Sequence, residues 1–510
     1  MCSRKKRYII VEGKMKKVQC IVDKDYIIAE VDPKLYGSFI EHLGRAVYSG
    51  IYEPSHATAD EQGFRQDVVE LVQDLSVPIV RYPGGNFVSG YNWTDGIGPV
   101  ADRPRRLDYA WLSVESNQIG IDEFVDWCKK VGTEPMAAVN LGTGTPQDAG
   151  YMMEYCNHPA GTYWSDLRIK NGHKDPHNIK VWCLGNEMDG PWQTCGLSAE
   201  DYGKKAREAA KIMKWIDPSI ELVACGSASP WMATYPEWDR VVLEHTYEHI
   251  DYISLHRYYE NEGSVENFLA SFADMNDFIK TVAATADYVK AKARSKKTMK
   301  LSFDEWNVWY IKKQIRVPWA EAPAILEDQY SLLDALVFGG MLCTLLNNCD
   351  RVRMACLAQL VNVIAPIFTE RDGRILKQAI YYPFQQVSLY GRGTALKTLT
   401  KSENFVTTLY GDVPSVQTSA TFNAETGTIT LFALNCDTAE DGEIFIDLRS
   451  FGSVKMTEHI IMDGPDLSAQ NTFDAPDAVV PRAVAIAEGD HTFRTTLPKL
   501  SWNMFRFILT

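Results

Sequence analysis

Lys180-Val181-Trp182-Cys183-Leu184-Gly185-Asn186-Glu187 is a short apolar run that stops abruptly in glycine, amide and carboxylate. A run of about four to eight such residues without polar alternation reads as a strand covered on both faces, as in a parallel sheet. Leu301-Ser302-Phe303-Asp304-Glu305 repeats the plan further along. Working outward from these two, apolar or β-branched runs recur at 35–42, 77–82, 135–141, 179–184, 221–225, 252–256, 299–303 and 352–358. Stretches of helical periodicity separate them at 64–75, 121–131, 199–216, 237–248, 265–293 and 325–346. Eight strands alternating with helices predict a (β/α)8 TIM barrel within the α/β class, with an open doubly wound sheet as the competing architecture.

From about residue 390 the texture changes to period-two runs at 404–409, 416–422, 428–434, 442–448, 455–462 and 502–509, punctuated by Gly, Asp and Asn. That pattern predicts a C-terminal antiparallel β-sandwich of jelly-roll type. Residues 18–31 share it. The expected division is therefore an N-terminal extension over 1–14, one or more strands over 15–34 joining the sandwich, the barrel over 35–385 and the sandwich over 386–510.

With 45% hydrophobic, 11% aromatic and 23% charged residues in 510, the chain has the composition of a folded globular protein. Fifty-two Lys and Arg against 66 Asp and Glu leave a net charge of -14, which argues against nucleic acid and favours a neutral ligand. Eleven cysteines with no CxxC pair, several inside apolar runs, read as thiols of a reducing, cytoplasmic compartment. The basic start at residues 3–7 is followed by an apolar run of only Tyr8 to Val11, too short for a signal peptide. Met15-Lys16-Lys17 resembles a second start. The apolar stretch 332–346 falls short of the ~20 residues that span a bilayer, so no membrane contact is expected. Neither GxGxxG nor GxxxxGK[ST] occurs, and no cofactor is expected.

Catalytic groups of a barrel sit at the C-terminal ends of its strands. Those ends read Glu41-His42, Arg81 through Asn86, Asn140, Gly185-Asn186-Glu187, His256-Arg257-Tyr258, Asp304-Glu305-Trp306-Asn307 and Gln359. A carboxylate at the mouth of a buried strand is costly to desolvate. One alone is accounted for by a helix cap or an ion pair with a residue such as Arg81, but Glu187 and Glu305 together suit the two carboxyl groups of glycoside hydrolysis. Trp93, Trp111, Trp192, Trp306 and Trp309 are expected in the loops around the mouth, as platforms for sugar rings or as loop anchors.

Tyr36-Gly37-Ser38-Phe39-Ile40-Glu41-His42-Leu43-Gly44, Arg81-Tyr82-Pro83-Gly84-Gly85-Asn86, Gly185-Asn186-Glu187-Met188-Asp189-Gly190 and Phe303-Asp304-Glu305-Trp306-Asn307-Val308-Trp309-Tyr310 together resemble a family 51 glycoside hydrolase, an α-L-arabinofuranosidase. The likeness runs from about Val18 to Thr510. It implies a retaining, exo-acting enzyme with Glu187 as acid/base after the fourth barrel strand and Glu305 as nucleophile after the seventh. It further implies that Glu41, Asn86, Asn186 and Gln359 bind the furanose hydroxyls and that Tyr258 donates to the nucleophile. Arg81 and His256 would support the pair, Trp111 and Trp309 would flank the leaving group, and the chain would form a homo-oligomer, a hexamer. No metal is expected. Three competing readings are a metal-dependent barrel hydrolase using His42, His256 and Asp304, a non-catalytic carbohydrate-binding barrel, and a β-xylosidase or endoglucanase of the same clan.

Overall fold

A computed structural model describes residues 15–311 and 318–510, so the extension expected over 1–14 lies outside the described residues. Eight strands close into a parallel barrel: β1 Gly37–Phe39, β2 Ile79–Tyr82, β3 Glu134–Val139, β4 Val181–Leu184, β5 Glu221–Ala224, β6 Tyr252–Tyr259, β7 Lys300–Val308 and β8 Val352–Ala358. The spatial order follows the chain and closes β8 onto β1, with Cys356 opposite Gly37 and Ala358 opposite Phe39. Phe39, Ile79, Met136, Val181, Cys183, Val223 and Met354 fill the interior, while the outward side chains meet the helices.

Local chemistry sets the helices. In Ile121–Val131 the buried residues Ile121, Phe124, Val125, Cys128 and Val131 form one apolar stripe. The Glu123 carboxylate accepts from the Gly120 N–H at 2.8 Å, and left-handed Gly132 (φ 82°) ends the helix. Leu332–Asn347 is buried from Leu332 to Leu346. It lies between barrel and C-terminal sheet: Gln417 Nε2 donates to Thr344 Oγ1 (2.9 Å), Asn347 Nδ2 donates to Thr418 O (2.9 Å), and a Cβ on Gly339 would stand 2.5 Å from the Trp502 ring. A helix covered on all sides has no solvent-facing polar stripe, and its polar side chains Asp334 and Thr344 are buried with partners. No helix among the described residues is long and apolar enough to cross a membrane.

The C-terminal domain is one continuous nine-stranded sheet wrapped around its own core of Val18, Cys20, Val22, Leu431, Ile444, Ile446, Phe493, Phe505 and Phe507, among others. Its strands are Lys16–Glu30, β9 Thr394–Lys401, β10 Val416–Asn423, β11 Thr428–Asn435, β12 Gly442–Asp447, β13 Val454–Met462, β14 Arg482–Ala483, β15 Thr492–Leu497 and β16 Ser501–Leu509. They run in the order β14-β13-β16-β11-β10-β9, then Lys16–Glu30, then β12-β15. Pairing is antiparallel except between Lys16–Glu30 and β12, where Val18 faces Ile444. The N-terminal strand therefore closes the gap between β9 and β12. The run at 404–409 is not part of this sheet: Asn404–Thr407 pairs with Gly411–Pro414 as a separate hairpin, its tip held by Asn267, which accepts from the Thr408 N–H at 3.0 Å.

Candidate active site

Glu41, Arg81, Asn86, Asn186, Glu187, His256, Tyr258, Glu305 and Gln359 converge on the C-terminal mouth of the barrel. Glu305 and Asp304 lie inside β7 rather than beyond it, because that strand continues to Val308. The pairing of β7 slips against both neighbours here, between Ser302 and Glu305 on one side and between Phe303 and Trp306 on the other. Such a bulge breaks strict alternation, so consecutive Asp304 and Glu305 both reach interior partners. Trp306 is thereby turned away from the mouth. It is fully buried and stacks on Phe338 at 4.8 Å, which corrects its expected place among the loop tryptophans. Trp93 packs on Tyr155 and Trp164.

Arg81, 1% exposed, donates from Nη1 to Glu305 Oε1 and from Nη2 to Asn186 Oδ1, both at 2.6 Å. The Tyr258 hydroxyl donates to the other oxygen of Glu305, Oε2, at 2.8 Å, and Trp309 stands edge-on against the Tyr258 ring at 5.0 Å. Burial, then the charge of Glu305, pushes the Tyr258 phenol well above its ordinary range, so it remains a donor. Asn186 Nδ2 donates to Asn86 Oδ1 (3.1 Å), bringing these two expected sugar ligands together.

Glu187 leaves β4 through left-handed Gly185 (φ 91°) and itself has φ 41°, a conformation disfavoured for a side-chain-bearing residue and found at functional sites. Its Oε1 lies 2.9 Å from His256 Nδ1, and its Oε2 accepts from Trp192 Nε1 at 2.6 Å. His256 Nε2 contacts Asp304 Oδ1 at 3.0 Å, and Nδ1 stands 3.6 Å from Glu305 Oε2. Burial alone would lower the His256 pKa, but Glu305 and the hydrogen bonds to Asp304 and Glu187 outweigh it and hold it at about 10. As an imidazolium, His256 donates from both ring nitrogens. One oxygen of Glu187, one ring nitrogen of His256 and one oxygen of Glu305 lie within 4.8 Å of one another.

Glu41 forms the far wall. Its Oε1 accepts from the Phe87 N–H (2.9 Å) and from Trp111 Nε1 (3.0 Å), and its Oε2 accepts from Gln359 Nε2 (3.3 Å). Gln359 returns the contact, accepting from the Glu41 N–H at 2.9 Å. A Cβ on Gly85 would sit 2.5 Å from Glu41 Oε2, so a larger residue there would displace the Glu41 carboxyl. Burial pushes the Glu41 carboxyl up to about 8 against the pull of the Phe87 and Trp111 donors. His42 does not join His256 and Asp304: Glu115 Oε2 and the Tyr82 hydroxyl, each at 2.7 Å, occupy its two nitrogens. Two contacts lie outside the expected set, the Trp192 donor to Glu187 and the Asp304 partner of His256. The first depends on the turns closed by Gly190 N–H to Glu187 O and Gln193 N–H to Gly190 O, which residue spacing does not reveal, and the second has its signal in the Asp-Glu pair itself.

Residues 71–277 match the family described as "Alpha-L-arabinofuranosidase 1 domain" and residues 304–501 match "Alpha-L-arabinofuranosidase C-terminal domain". An intracellular exo-α-(1→5)-L-arabinofuranosidase of Halalkalibacterium halodurans is 55% identical over 95% of this chain and 98% of its own. A similarly named protein of Bacillus subtilis is 53% identical over 96% and 99%. The solved structure of AbfB, a family 51 α-L-arabinofuranosidase from Bifidobacterium longum, superposes with a TM-score of 0.94 at 45% identity, covering 97% of this chain and 100% of that one. With two family models matched and relatives of 45–55% identity covered along nearly their whole length, the chain belongs to the family 51 α-L-arabinofuranosidases.

Proposed function

We propose that the chain is a retaining, exo-acting α-L-arabinofuranosidase that releases terminal non-reducing α-L-arabinofuranosyl residues from arabinan- and arabinoxylan-derived oligosaccharides by double displacement. The observation that carries the reading is the approach of the two carboxyl groups, with an oxygen of Glu187 and one of Glu305 within 4.8 Å. Retaining glycosidases hold the pair about 5 to 5.5 Å apart, whereas inverting ones need about 6.5 to 9.5 Å for a water molecule.

In the first step a Glu305 oxygen attacks the anomeric carbon while Glu187 gives its proton to the departing glycosidic oxygen. A glycosyl ester on Glu305 results. In the second, Glu187 takes a proton from water, which attacks the same carbon and frees Glu305. His256 Nδ1 on Oε1 and Trp192 Nε1 on Oε2 fix the orientation of the Glu187 carboxyl. Arg81 and His256 face Glu187, Glu305 and Asp304. Glu41, Asn86, Asn186 and Gln359 would hold the furanose hydroxyls, and Trp111 and Trp309 would flank the leaving group.

Relatives at 52–55% identity are named for the α-(1→5) linkage and as intracellular, so that linkage and a cytoplasmic location are the first to test. A hexamer and the division 15–34 plus 386–510 against 35–385 complete the reading. Proton NMR of the sugar first released from an aryl α-L-arabinofuranoside tests it. An α-configured first product supports double displacement and a β-configured one contradicts it. Faster release from β-D-xylopyranoside or β-D-glucopyranoside would overturn the substrate assignment.

A further inference from the structure

A second cluster of metal-ligating side chains lies apart from the acidic pair and shares no hydrogen bond with it. One oxygen of Asp122 and one ring nitrogen each of His173 and His177 lie within 4.8 Å of one another. We propose that Asp122, His173 and His177 form a Zn2+ site that fastens the loop leading into β4. Two imidazoles and a carboxylate are a ligand set that zinc accepts, with a fourth position left for water.

The site is built. Asp122 sits in the first turn of Ile121–Val131, and its second oxygen accepts from the Tyr155 hydroxyl at 2.6 Å, which itself accepts from Asn171 Nδ2 at 3.0 Å. Outer partners of this kind aim a ligating carboxylate. The histidines lie between two left-handed residues, Gly172 (φ 106°) and Asn178 (φ 57°). Fully buried Arg168 pins the loop, donating to the carbonyls of Tyr155, His158 and Pro159 at 2.7 Å and to that of His173 at 3.1 Å. The His177 N–H donates to Cys156 O at 2.7 Å. His177 Nε2 stands 2.6 Å from Asp122 Oδ1 and the two imidazole rings meet edge-on at 5.0 Å. With metal bonds of about 2.0 to 2.2 Å, ligands must stand farther apart than that hydrogen bond, so the ion would take the place of the shared proton. His173 is partly exposed and supplies the way in.

The test uses tag-free, chelator-stripped protein titrated with Co2+ and then Zn2+. The expected result is one equivalent of Co2+ with visible ligand-field bands, displaced by Zn2+, and a thermal midpoint that rises with Zn2+. His173→Gln should weaken binding at least tenfold while circular dichroism stays unchanged, and Tyr155→Phe should weaken it about tenfold. Glu187→Gln and Cys195→Ser should bind as the parent does. Absence of the Co2+ spectrum overturns the proposal, as does a spectrum and affinity unaltered in His173→Gln. Loss in Glu187→Gln alone would place the ion at the catalytic pair and overturn it equally.

Discussion

Glu305 is held from both sides, by Arg81 on Oε1 and by Tyr258 on Oε2. The two supports are of different kinds. Arg81 also holds Asn186 and is buried beside Asp304, so its removal would leave carboxylates unpaired in the barrel. Tyr258 contributes one hydroxyl whose loss leaves the ring packing on Trp309 in place. Tyr258→Phe should therefore fold normally, by circular dichroism and thermal midpoint, yet lose about 10- to 100-fold in kcat, the range of one donor to a buried charge. An unchanged kcat would show that the Tyr258 hydroxyl does not support Glu305.

At the scale of elements, Leu332–Asn347 joins barrel to sheet through the contact of Gly339 with the Trp502 ring. Gly339→Ala should destabilise the protein by about 1 to 3 kcal/mol through overpacking. Urea unfolding followed by tryptophan fluorescence checks this, and a stability equal to the parent's would show that the joint yields. The barrel strands were legible because burial on both faces writes itself as an uninterrupted apolar run, as in Val181–Leu184. The end of β7 was not, since Asp304, Glu305 and Asn307 have the polarity of a loop, and the bulge that turns Trp306 into the core depends on pairing with two neighbours. Helix Pro146–Asn157 went unread because Gly150 packs on Ile212 where a larger apolar residue would have marked the stripe. In the sheet domain, β9 alternates through Lys397, Thr398 and Thr400, and β15 through Arg494, Thr495 and Thr496, so both lack the apolar signal of β11. Site legibility followed the same rule. Residues directly after apolar runs, Glu41, Glu187 and Gln359, were readable from sequence, whereas Trp192 acts through a turn that spacing does not resolve.

For the whole molecule, two buried groups set a pH dependence. Burial raises the Glu41 carboxyl from 4.5 to about 8, and the surrounding carboxylates raise His256 from 6.5 to about 10 despite its burial. In both cases the folded state holds the proton more tightly than the unfolded chain. Their stabilising contributions are full below pH 4.5 and 6.5 respectively and are lost as pH rises through 8 and 10. The urea midpoint should fall across that window, and Glu41→Gln should flatten its lower part, whereas a midpoint rising with pH there would contradict the assignment. Light scattering should return a hexamer, and a mass near 57.5 kDa over a wide concentration range would rule it out. The central claim concerns a covalent intermediate on Glu305, and the intact mass of the protein reads it directly. Glu187→Ala mixed with a dinitrophenyl α-L-arabinofuranoside needs no acid for the first step but lacks the base for the second. The protein should accumulate with one arabinofuranosyl residue added, and peptide mapping should place that residue on Glu305. A protein that turns over substrate yet keeps its unmodified mass at every time, or carries the sugar on another carboxylate, would contradict the account.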